Sequence, residues 1–73
     1  MPTLPDAYLR DILAQAGRDL AAAELRRTQQ ARIVAGPLNS PETRAAAELL
    51  LREIDQTIAS IRANRHLIED ILA

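Results

Sequence analysis

Apolar residues recur along this chain in alternating steps of three and four, and the repeat is interrupted only once. The first run is Leu9, Leu13, Ala16, Leu20, Ala23, Arg27, Gln30 and Val34. The second is Ala47, Leu51, Ile54, Ile58, Ile61, Arg65, Ile68 and Leu72. A mean spacing of about 3.5 residues is the seam of a coiled coil, in which one stripe of a helix stays turned toward its neighbour. Nothing alternates with a period of two over a turn-bounded stretch, so strands have no foothold.

The interruption is Gly36-Pro37-Leu38-Asn39-Ser40-Pro41. Gly36 is expected in the left-handed C′ position that closes many helices, and Pro37 cannot continue the helix before it. Ser40 reads as an N-cap, Pro41 as the first helical residue, and Glu42 as an anion near the positive end of the dipole. At the start, Thr3 and Asp6 have capping-box character, with Pro5 tolerated in the first turn. These signals predict helix 1 at about 4–35, a turn at about 36–40 and helix 2 at about 41–72. A link this short makes the helices antiparallel neighbours. The fold class expected is all-α: an antiparallel two-helix hairpin, coiled-coil-like, forming a single domain over the 73 residues.

A hairpin of that size is short of core. Chains below roughly 70–80 residues depend on disulfides, a metal or oligomerisation. The sequence holds no Cys and a single His, which removes disulfides and makes a structural metal a poor expectation. Oligomerisation remains. The apolar surface also exceeds what one neighbour covers. Ile12 and Ile33 broaden the stripe of helix 1, and Leu25 lies nearly opposite it. Leu50 and Ile71 flank the stripe of helix 2, and Leu49 and Leu67 lie further round. The expectation is a homodimeric four-helix bundle, with docking into a groove of a different protein as the alternative. The interface is assigned to Leu13, Leu20, Leu50, Leu51, Ile54, Ile58, Ile61, Ile68 and Ile71. Candidate partner-binding residues are Tyr8, Leu25, Arg26, Arg27, Gln30, Leu49, Arg65 and Leu67.

Three polar residues fall on the seam itself. Arg27, Gln30 and Arg65 either lay their stems on the core with their heads in solvent, or form polar layers that fix register, or contact an anionic ligand or acidic partner. Elsewhere Arg44, Glu48 and Arg52 are spaced as a ladder, Asp6 can meet Arg10, and Arg65 can meet Glu69. Such pairs contribute about 0.2–0.5 kcal/mol each. His66 has Asp70 one turn on and Arg62 one turn back, and reads as an exposed helix residue. Tyr8, the sole aromatic residue, is expected to cover the open end of the hairpin against Leu67, Ile68 or Ile71.

Several functions find no support in these residues. The net charge is -1, which gives nucleic acid or an acidic membrane no broad electrostatic footprint. A local arginine patch around Arg26, Arg27 and Arg32 is diluted by Glu24, Glu48 and Glu53. One aromatic residue cannot build a base-stacking platform. No apolar run approaches the roughly 20 residues of a membrane span, and Met1 to Asp6 lack the features of a secretory signal. There is no phosphate-binding glycine loop, nucleophile elbow or metal-ligand spacing, so no catalytic residue, cofactor or metal is expected. All nine basic residues are arginine, which with the abundance of Ala points to a GC-rich genome. A small bacterial or phage protein of the cytoplasm is the resulting expectation.

The dimeric hairpin expected here resembles the plasmid RNA-regulating Rop family in architecture, with no shared motif, and that resemblance implies a nucleic-acid-binding regulator. The turn from Gly36 to Glu42 and the long apolar second helix are similar to the small co-chaperones of type III secretion, which implies a protein partner. Protein association is the leading expectation: an adaptor, inhibitor or chaperone-like regulator. A protein that sequesters small anions or nucleotides between hairpins, through Arg27, Arg65 or Tyr8, stands as a further alternative.

Overall fold

The computed structural model describes residues 5–73. It consists of two helices, α1 (Asp6–Ala35) and α2 (Pro41–Leu72), packed against each other with no strand among the described residues. The chain is therefore an all-helical hairpin. Its extents are 60 × 15 × 15 Å and its radius of gyration is 16.9 Å, against about 11 Å for a compact globule of this length. The molecule is a two-helix rod.

The start of α1 differs from the sequence expectation. Pro5 is the N-cap rather than a first-turn residue, and among the described residues no side chain caps this end. Its carbonyl accepts from the Tyr8 and Leu9 amides at 3.0 and 3.2 Å. The Thr3 part of the anticipated capping box, and Leu4 as the first helical residue, lie outside the described residues.

The turn corrects a second expectation. Gly36 is extended, with φ -84° and ψ 178°, and no glycine has positive φ. The left-handed closure is absent because another group meets the free carbonyls at the end of α1. The Arg44 guanidinium reaches back from α2, donating to the Val34 carbonyl at 2.9 Å and the Gly36 carbonyl at 3.4 Å. A cation at a helix C-terminus also complements the dipole. Arg44 therefore locks the turn and is not part of a ladder with Glu48 and Arg52. Ser40 does cap α2: its Oγ accepts from the Thr43 amide at 3.1 Å, with Pro41 following it.

The seam repeat packs as its period dictates. Leu9, Ala23, Ala47, Ile58 and Gln30 are buried, and most of the other seam residues are half-buried. Ala23 is completely covered, its small side chain fitting between closely spaced helices. Among the described residues no helix is long and apolar enough to cross a membrane.

Gly17 sits within α1, and a Cβ built on it meets nothing within 4 Å. The helix thus carries the flexibility cost of glycine with no steric need for it. Gly17→Ala is expected to stabilise the fold by about 1 kcal/mol, read as a higher denaturation midpoint in urea.

Candidate functional site

The residues that sequence reasoning singled out divide into three sets. Leu13, Leu20, Leu51, Ile54, Ile61 and Ile68 are half-buried and Ile58 is buried, all on the seam between α1 and α2. Leu50 and Ile71, at 46% and 66% exposure, lie outside it. Tyr8, Ile12, Leu25, Ile33, Leu49 and Leu67 are exposed as well. Tyr8 does not seal the open end: it stays about half exposed, and Leu67 and Ile71 at the same end are more exposed still.

The two edges of the seam differ in chemistry. Along one, Arg27 pairs with Asp55 across the helices, and Arg62 lies 3.5 Å from Glu24. These residues border one groove with Ile58 and Ala59. Along the other edge a shallow groove of about 280 Å³ is lined by Ile12, Gln15, Ala16, Asp19, Ile61, Asn64 and Ile68. The first edge is closed by ion pairs. The second presents aliphatic side chains bordered by Gln15, Asp19 and Asn64, with no ion pair across it among the described residues.

The three polar seam residues turn out to have different surroundings. Gln30 is buried, at 7% exposure, and its Nε2 donates to the Ala47 carbonyl of α2 at 2.9 Å. A hydrogen bond from one helix to the backbone of the other satisfies a buried amide, at a level where the facing residue is the small, buried Ala47. Arg27 swings out of the seam to Asp55, with both side chains about half exposed, where such a pair contributes at most about 1 kcal/mol. Arg65 stays partly covered. Its Nε is buried with no hydrogen-bond partner, while the residue borders a surface groove with Leu20, Arg62, His66 and Glu69.

The remaining charges follow the helix surface. Among the described residues the ion pairs are Arg27–Asp55 and Arg62–Glu24, and His66 lies near Glu69. The anticipated pairs Asp6–Arg10 and Arg65–Glu69 are not formed. His66 is well exposed, with Nδ1 3.9 Å from Glu69 rather than beside Asp70. Arg26 is exposed and outside these pairs. No group of three or more His, Cys, Asp or Glu is placed to hold a metal ion among the described residues.

Sequence reasoning missed Asp55 and placed Arg44 in a surface ladder instead of at the end of α1. Asp55 follows the seam residue Ile54 directly, and a carboxylate beside a seam, across from a seam arginine, is the signal that could have found it. Arg44 carries no such signal, because its acceptors are backbone carbonyls.

No protein-family model, curated protein or solved structure matches the chain.

A buried, unpartnered guanidinium nitrogen costs about 1–3 kcal/mol, whereas an exposed ion pair holds little. Arg65→Leu is accordingly expected to stabilise the protein by about 1 kcal/mol, with Arg27→Leu within about 0.5 kcal/mol of wild type. Urea denaturation of the two variants side by side checks the contrast.

Proposed function

We propose that this chain is a non-enzymatic protein-association module that completes its core by pairing with a second hairpin into a four-helix bundle. The bundle then acts on a target protein as an adaptor, inhibitor or chaperone-like regulator. The observation that carries the reading is the mismatch between what the hairpin covers and what it leaves out. Among the described residues the buried apolar set is Leu9, Ala23, Ala47 and Ile58 alone, and no large side chain is fully enclosed. Eight large apolar residues are exposed: Tyr8, Ile12, Leu25, Ile33, Leu49, Leu50, Leu67 and Ile71.

The areas support the same reading. A compact monomer of 8.0 kDa exposes roughly 4,450 Å². This hairpin exposes 5507 Å², an excess on the order of 1,000 Å² by that relation. A stable protein interface takes about 800 Å² from each partner. One further hairpin laid along the rod removes an area of that size. Exposed Leu25 and Leu49, far from the seam, are then the surface left for a target.

A nucleic-acid reading draws less support from the arginines. Arg27 and Arg62 are paired with carboxylates and Arg44 caps a helix end, and the nine arginines stand against ten carboxylates, a balance that gives a phosphate backbone no broad cationic face.

Thermal unfolding over a hundredfold range of protein concentration tests the proposal. Mass action in a folded dimer raises the melting temperature by roughly 5–10 °C across that range. A midpoint independent of concentration contradicts it.

A further inference from the structure

The exposed residues beside the aliphatic groove repeat every seven positions on both helices. On α1 the series is Ile12, Asp19, Arg26, Ile33; on α2 it is Leu50, Thr57, Asn64, Ile71. All are exposed. Seven residues are two turns of a coiled coil, so each series stays on one side of its helix. Ile12, Asp19 and Asn64 do line one groove together. The Gln30–Ala47, Arg27–Asp55 and Glu24–Arg62 contacts hold the antiparallel register. In that register the series form four successive levels: Ile12 with Ile71, Asp19 with Asn64, Arg26 with Thr57, and Ile33 with Leu50. The outer levels are aliphatic, and the inner two carry one acidic and one basic residue.

This order is complementary to its own reverse. We propose that the face is the contact for a second copy of the chain, with the two hairpins antiparallel and the two-fold axis perpendicular to the helices; the inference rests on the association reading above. That axis lays α1 on the partner's α1 in the opposite direction. Each aliphatic end meets the aliphatic other end of the second copy. Asp19 meets Arg26 of the second copy, and by symmetry the same pair forms twice. An axis along the rod instead puts each level on itself. The two Asp19 carboxylates then share one level and the two Arg26 guanidinium groups another, with no opposite charge at either. Like charges in one layer destabilise and opposite ones direct the orientation. Arg26, outside the ion pairs within the hairpin, is the cation this arrangement uses.

The chain has no cysteine, so Asn39→Cys, on the exposed turn, carries a single spin label per copy. Light scattering gives the mass of the labelled protein, and pulsed dipolar spectroscopy gives the distance between labels. The proposed arrangement places the turns at opposite ends, about 50 Å apart at 1.5 Å per residue. A dimer with labels under about 25 Å apart, as side-by-side turns give, overturns the orientation and leaves the association reading standing. A monomer at every concentration overturns both. Charge exchange supplies an independent test. Asp19→Arg and Arg26→Asp each weaken dimerisation about tenfold, and the double exchange restores it. Equal affinities in all four proteins overturn the proposed pairing.

Discussion

The structure depends on the width of a helical seam. Two helices packed side by side can enclose only the stripe that faces inward, and residues one step to either side remain at its edge. In this chain the stripe contains alanine, leucine and isoleucine over nearly the whole length of α1 and α2, which suffices to align the helices. It does not suffice to enclose a large side chain. Ala23 and Ala47 bring the helices close but leave little apolar mass between them, and Leu9 and Ile58 are the largest side chains that become buried. A rod with a narrow seam and wide apolar shoulders is the outcome.

Within that rod, polar contacts set alignment more than stability. Gln30 ties α1 to the backbone of α2, Arg44 ties α2 back to the end of α1, and Ser40 fixes where α2 begins. Together they hold the turn and the register at one end of the hairpin. At the opposite end the described residues form no comparable lock: Tyr8, Leu67 and Ile71 are exposed. The two long edges also differ, one closed by Arg27–Asp55 and Arg62–Glu24 and the other aliphatic. In the proposed association a second polypeptide meets a defined face rather than an indiscriminate apolar surface.

Much of the fold was legible in the sequence because it follows from local rules. The seam period, Ser40 as N-cap and Pro41 at the head of α2 all act within a few residues of themselves. What escaped was non-local. Gly36 suits a left-handed closure on its own merits, but Arg44 satisfies the free carbonyls, and the extended turn results. Arg27 and Arg65 occupy equivalent seam positions, yet Asp55 draws Arg27 outward. Arg65 instead stays over the seam beside Leu20, its Nε buried without a hydrogen-bond partner. The unfinished faces were visible as surplus apolar positions. Their arrangement into levels required the register of the two helices.

In the proposed association a single hairpin is only part of the folded unit. Static light scattering on the purified full chain, across a dilution series in the micromolar range, tests it most directly. The expected result is a mass of twice the 8.0 kDa chain that falls only on dilution, together with loss of helical signal. A stable, fully helical species at the mass of one chain throughout would contradict it.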